Sequence, residues 1–243
     1  MDINLLHGDC LELMKDIPDG SVDMILADLP YGTTSCKWDT IIPFEPLWKQ
    51  YERIIKDNGA IVLTATQPFA SALIMSNPKR FKYQWVWYKN LRTGFAQAKT
   101  QPMKSHELVL VFYKKTPTYN PIKVKRTTVK AGNKKKKFGE IYGGTVYEKN
   151  VDNQSDLVNP HDVLEIKAIH GSAKRLHPTQ KPIELFEYLI KTYTNEGETV
   201  LDNCMGSGTT GVACKNLNRN FIGMELDDKY FKIAEQRIIK EKK

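Results

Sequence analysis

The sequence predicts an α/β protein built on a doubly wound, mostly parallel sheet. Short apolar runs that stop at Pro, Gly or Asp read as buried strands, as at 22–27, 60–65 and 199–201. Apolar residues spaced by three and four lie between them, as at Phe44, Leu47, Trp48, Tyr51, Ile54 and Ile55. Alternation of the two patterns is that of helices covering both faces of one sheet.

Val22-Asp-Met-Ile-Leu-Ala27 is the first buried run, and it ends at Asp28-Leu29-Pro30-Tyr31-Gly32. The helix that begins near Phe44 is expected to stop at Asn58-Gly59, before the strand at 60–65. A short helix is expected over 68–75, then two β-rich runs at 83–88 and 108–113. Between 116 and 170 the regularity fails; lysines, glycines and scattered Asn dominate. We read that stretch as an insertion of loops and short strands. Pro182 suits the first turn of a helix whose apolar face is Ile183, Leu185, Phe186, Leu189, Ile190 and Tyr193. Thr199-Val200-Leu201 then enters Asp202, and Gly206-Ser207-Gly208-Thr209-Thr210-Gly211 opens a helix. A strand at 220–224 ends at Glu225, and a last helix runs through Tyr230, Ile233, Ala234 and Ile238.

A chain of 243 residues is long enough for one large domain carrying an insertion. No apolar run approaches the roughly 18 residues that would span a bilayer. The start lacks a basic region followed by an apolar one, so no secretory signal is expected. Cys10, Cys36, Cys204 and Cys214 form no CxxC pair, so neither a metal site nor a disulfide framework is expected, and the cytoplasm is the expected location. The net charge of +8 is uneven. Residues 99–149 hold 13 Lys or Arg and 3 acids, a balance of +10. Lys123, Lys125, Arg126, Lys130, Lys134, Lys135, Lys136 and Lys137 are its densest part. A phosphate backbone is the natural partner for such a cluster, although a solvated lysine-rich loop would read the same.

The segment 199–225 is strand, glycine turn, helix, strand, acid. Glycine allows a sharp turn and close approach of a ligand, and the helix start offers free N–H groups. Glu225, 19 residues after Gly206, is placed to accept ribose hydroxyls. A nucleotide-like cofactor follows. NAD fits poorly, because only 18 residues follow Glu225 and a dinucleotide domain would need three more strands there. The sheet must be completed by the N-terminal part, in a permuted order. At Asp28-Leu29-Pro30-Tyr31 a carboxylate, carbonyls oriented by proline and an aromatic ring suit a planar amino-substituted ring. A strand-ending turn with an incidental Asp fits the tetrapeptide equally well.

Together, Asp28-Leu29-Pro30-Tyr31, Asp202-Asn203-Cys204-Met205-Gly206-Ser207-Gly208-Thr209-Thr210, His177-Pro178-Thr179-Gln180-Lys181-Pro182 and Gly8-Asp9-Cys10-Leu11 resemble the beta-class DNA amino-methyltransferases. The resemblance spans nearly the whole chain, motif order included. It implies a circularly permuted fold of the S-adenosylmethionine-dependent methyltransferase type. Residues 1–115 would be the catalytic half, 116–170 the target-recognition region and 171–243 the cofactor-binding half. Asp9 would accept from the cofactor's adenine amine and Glu225 would hold its ribose. Asp202 and Gly206, Ser207, Gly208, Thr209 and Thr210 would surround its methionine end, with Thr179 and Lys181 near the carboxylate. Cys10, Cys204 and Leu226 adjoin these positions and join the cofactor set, as does Asp28. Asp28 and the Leu29 carbonyl would accept from the target amine, with Tyr31 stacked on the flipped base. The family usually has Pro where Leu29 stands and Pro-Phe where Asn203-Cys204 stand. An Asp first in the tetrapeptide points to adenine N6, with cytosine N4 the alternative. RNA or a protein amide as substrate, and a catalytically silent DNA-binding module, stay open. Double-stranded DNA is the implied partner, with a cognate restriction endonuclease possible and a monomer or homodimer as the assembly.

Overall fold

The computed structural model describes residues 1–34, 36, 39–125, 156–169, 176, 177 and 179–240. Strands β1 (Ile3–His7), β10 (Asn220–Glu225), β9 (Thr199–Asp202), β2 (Val22–Ala27), β3 (Ile55–Ala65), β5 (Lys104–Phe112), β4 (Phe81–Thr93) and β8 (Val163–Glu165) lie side by side in that order. All pair in parallel except β5, which runs against both β3 and β4.

Period two explains how both faces are covered. From β2, Ile25 and Ala27 face a core formed with α1 (Cys10–Leu13), α2 (Phe44–Ile54) and α3 (Phe69–Ser76). Met24 and Leu26 face a second core formed with α4 (Ile183–Tyr193), α5 (Thr209–Asn216) and α6 (Asp228–Glu235). The amphipathic face of α2 buries Leu47, Trp48, Tyr51 and Ile54. Helices α2 and α4 therefore owe their place to their apolar stripes.

Three expectations change. Asn58-Gly59 does not separate helix from strand. Ile55 already pairs with Val22, and the register slips before Met24 meets Ala60, so Asn58 and Gly59 lie in an irregularity of β3. Gly59 is needed there because a Cβ would stand 2.8 Å from the Asp23 carbonyl. Pro182 caps α4 from outside, with φ −64° and ψ 137°, rather than sitting in its first turn. Finally, the compact units are 1–120 with 162–243, and 121–161. The smaller unit is narrower than the stretch 116–170 because β8 pairs with β4 in the main sheet. Within that unit, β6 (Val124–Lys125) pairs antiparallel with β7 (Leu157–Val158).

Candidate active site

Strand order places the site. The neighbours β1, β10, β9 and β2 are parallel, so their carboxyl ends share one edge of the sheet. Asp9, Glu225, Asp202 and Asp28 stand at or just beyond those four ends. From β9 the chain steps outward to β10, and from β2 it steps the other way to β3. The crevice at such a reversal is where doubly wound sheets bind ligands. A cavity of about 1310 Å³ opens there.

Every cofactor or catalytic residue expected from the sequence lines this cavity, with one exception. Gly208 does not. It caps α5 with φ +80°, and a Cβ on it would meet Ala234 Cβ at 3.0 Å, so it serves helix packing. Gly211 does the same against Phe221, whose ring would stand 2.7 Å from a Cβ. Gly206, with φ +50°, turns the chain at the cavity wall.

Glu225 ties the turn together. Its Oε2 accepts from Gly206 N at 2.8 Å and its Oε1 from Asp227 N at 2.8 Å. Burial raises its pKa, against the pull of these N–H groups. Asp202 is buried, accepts from Cys204 N at 3.0 Å and from the Thr210 hydroxyl, and is pushed by desolvation up to about 7. Asp9 caps α1 by accepting from Leu11 N at 2.8 Å. Leu226 follows Glu225 with 67% of its surface exposed. Cys10 and Cys204 each receive a 3.4 Å hydrogen bond from the Asn203 amide, which is itself held by the Tyr51 hydroxyl. Thr179 is exposed and contacts His177 Nδ1 at 3.0 Å.

The second constellation is a buried line of charge. Lys181 Nζ donates to Asp28 Oδ2 at 2.6 Å and lies 3.4 Å from Glu107 Oε2. Lys89 Nζ donates to Glu107 Oε1 at 2.9 Å. Asp28 Oδ1 accepts from the Tyr31 hydroxyl at 2.6 Å and from the Thr64 hydroxyl. Burial works against charge on Lys181, but Asp28 and Glu107 outweigh it and raise its pKa. Burial likewise opposes the Glu107 carboxylate, yet Lys181 and Lys89 hold its pKa low. Burial, then the charges of Asp28 and Glu107, keep the Tyr31 phenol well above its usual pKa. The Tyr31 ring packs on Phe69 at 5.1 Å between centroids.

Lys181 thus touches Asp28 directly, whereas the sequence put it near a cofactor carboxylate. Glu107, Lys89 and Thr64 were not read from the sequence. Nor was Asp39, which gathers the N–H groups of Gly32, Thr33 and Thr34 at 2.7–2.9 Å and shapes the loop after Tyr31. Of the basic cluster, Lys123 and Lys125 are exposed in the smaller unit; Arg126, Lys130, Lys134, Lys135, Lys136 and Lys137 lie outside the described residues. Among the described residues no group of three His, Cys, Asp or Glu could share a metal ion.

Fold and site define an α/β enzyme whose ligand cleft lies at the switch point of a permuted, doubly wound sheet. The chain belongs to the DNA methylase family, whose model matches residues 22–236. It is 28% identical to the type II methyltransferase M.HpaI of Haemophilus parainfluenzae, over 98% of this chain and 74% of that protein. It is 30% identical to the DNA adenine methyltransferase YhdJ of Escherichia coli strain K12, over 96% of this chain and 82% of that protein. The solved M1.HpyAVI–SAM complex superposes with a TM-score of 0.65 at 28% identity, covering 98% of this chain and 99% of that one. The cytosine-N4-specific PvuII DNA methyltransferase, at 15% identity and a TM-score of 0.71 over 100% of this chain and 88% of that one, shares the fold.

Proposed function

We propose that this chain transfers the methyl group of S-adenosylmethionine to the N6 amine of adenine in duplex DNA. The observation that carries the reading is that Asp28 and Glu225 open on one cavity. Its 1310 Å³ exceeds the roughly 300–1,000 Å³ usual for one small ligand, which leaves room for a cofactor and a base.

The residues fit the cofactor. Each Glu225 oxygen accepts one backbone N–H, which leaves an acceptor position on each for a pair of vicinal hydroxyls. Asp9 uses Oδ1 as a helix cap, which leaves Oδ2 for a ring amine. Leu226 offers apolar surface beside Glu225, and Thr179, Asp202, Cys204 and the 206–210 turn wall the other end. When bound, S-adenosylmethionine supplies an electrophilic methyl group on its sulfonium.

A base amine is a poor nucleophile because its lone pair is delocalised into the ring. Asp28 counters this by accepting a hydrogen bond from one of the amine's protons, which favours a more tetrahedral nitrogen. A carboxylate has about four acceptor positions. Tyr31 and Thr64 fill both on Oδ1, and Lys181 takes one on Oδ2. The remaining position, on Oδ2, is the one the amine takes. The Leu29 carbonyl accepts a hydrogen bond from the second amine proton. Holding amine and methyl in line supplies much of the acceleration. The base must leave the duplex, at a cost of a few kcal/mol, and Tyr31 stacks on it once there.

Exposed Lys123 and Lys125, with the rest of the basic cluster, neutralise phosphates while other side chains of 116–170 read the sequence. The type II names of several relatives support pairing with a cognate restriction endonuclease, and a cytoplasmic site of action accords with a DNA substrate. Incubation with methyl-labelled cofactor and unmethylated DNA, followed by nucleoside analysis, tests the reading. N6-methyladenine is expected. N4-methylcytosine would reassign the base, and no label in DNA would leave a silent binding module.

A further inference from the structure

We propose that Phe95 is a wedge that enters the base stack of duplex DNA as the target base leaves it, with Arg92, Lys99 and Lys104 on the flanking phosphates. The inference rests on the DNA-methyltransfer reading and adds to it the part that opens the duplex.

Phe95 is 84% exposed, the highest value of any large apolar side chain among the described residues. A phenylalanine so placed leaves its hydrophobic surface in water, and a stack of bases is a surface that would bury it. Its position ties it to the site. Trp87, Lys89, Leu91, Thr93 and Gly94 all line the cavity, and Phe95 is the next residue. Trp87 and Lys89 are buried, so β4 carries the cavity wall from the buried charges outward to the tip of the β4–β5 hairpin.

The tip is built. Between the pairs Tyr88–His106 and Thr93–Lys104, β4 advances five residues and β5 only two, which bulges β4. Gly94 then turns the chain with φ +85°. Phe95–Gln97 form a 3-10 turn closed by Gln97 N to Gly94 O at 3.0 Å and Ala98 N to Phe95 O at 3.1 Å. The ring is thus carried on a hydrogen-bonded turn.

Charge selects the partner. From Tyr88 to His106 there is no Asp or Glu. Arg92, Lys99 and Lys104 are all exposed. An apolar ring amid cations suits a polyanion with stacked rings, and apolar side chains inserted between base steps unstack and open them. A base can leave the stack more readily when its vacated place is filled.

The test compares wild type, Phe95→Ala and Phe95→Trp on unmethylated duplex DNA and on the same DNA heat-denatured to single strands. In Phe95→Ala the duplex-to-single-strand ratio of kcat/KM should fall at least tenfold, and Phe95→Trp should restore it. A second measurement needs no turnover: a duplex with 2-aminopurine at the mapped target position should brighten on binding wild type and stay dim with Phe95→Ala. An unchanged ratio, or equal brightening by both proteins, overturns the wedge and leaves methyl transfer standing. Failure of the wild type to methylate either DNA form overturns both.

Discussion

Lys181 and Asp28, 153 residues apart in the chain, share a 2.6 Å hydrogen bond that joins two distant segments of the sequence in the wall of the cleft. With Glu107 and Lys89 they form a line of two acids and two bases, each beside an opposite charge. Removing one member of a buried pair strands the other in a poorly solvated place, which typically costs about 3–5 kcal/mol.

Lys181→Met should therefore destabilise the fold by a few kcal/mol and reduce kcat more than it weakens cofactor binding. The pH dependence follows from the sign of each shift. Glu107 has a depressed pKa, so its stabilisation is present above the ordinary value of 4.5 and lost as pH falls through its folded value. Lys181 has a raised pKa, so its stabilisation is full below 10.5 and lost as pH rises through its folded value. Urea unfolding across pH should show both limbs in wild type and flatter limbs in Lys181→Met. Identical profiles would show that the charges are not coupled. Asp28→Ala should abolish methyl transfer while calorimetric cofactor affinity stays within a few-fold.

Asp202 shifts in the direction opposite to Glu107. Burial lifts its pKa from 3.8 to about 7, so the folded state keeps a proton that the unfolded chain gives up in that interval. The associated stability is full below 3.8 and is lost as pH rises through about 7. Asp202→Asn should raise the stability of the cofactor-free protein at pH 8 by roughly 1–4 kcal/mol, at about 1.4 kcal/mol per pH unit. At pH 4 the two proteins should unfold alike. A variant no more stable than wild type at pH 8 would contradict the burial argument.

Glu225→Ala and Asp9→Ala each remove an acceptor at one end of the proposed adenosine site. Loss of a hydrogen bond involving a charged group costs roughly 1.5–3 kcal/mol, or about 10- to 150-fold in affinity. Isothermal titration with S-adenosylmethionine should show that loss in both. Unchanged affinity in both would displace the cofactor from this cleft.

Replacing Lys134, Lys135, Lys136 and Lys137 with Ala should weaken binding to all duplex sequences alike. The slope of log K against log salt should fall by roughly 0.9 for each lysine that meets a phosphate. A slope equal to wild type would remove the run from the DNA interface.

Strands β2, β9 and β10 were legible because each is a short apolar run stopped by a turn or an acid. Their ends then located Asp28, Asp202 and Glu225, since doubly wound sheets bind ligands at carboxyl ends. Strand β1 was not read. It is five residues long, and both its faces are at least partly exposed, so no apolar run marks it. Glu107, Lys89 and Thr64 were hidden for a different reason. Each sits in or at the edge of a β-rich run where its partner lies on another strand or across the chain, and nothing local announces such a contact. Asn58-Gly59 misled because the same dipeptide that ends a helix also tolerates the close backbone approach of a bulge.

The pairing of β1 with β10, and of β2 with β9, has a consequence for synthesis. A chain emerging from the ribosome makes β1 and β2, the strand that leads into Asp28, well before β9 and β10, the two strands that lie between them. Until the residues of β9 and β10 have left the exit tunnel, β1 and β2 lack the parallel neighbours that join them, and Glu225 has not been made. A nascent chain thus carries the tetrapeptide without the cleft, and the cleft forms only after β10 has been made.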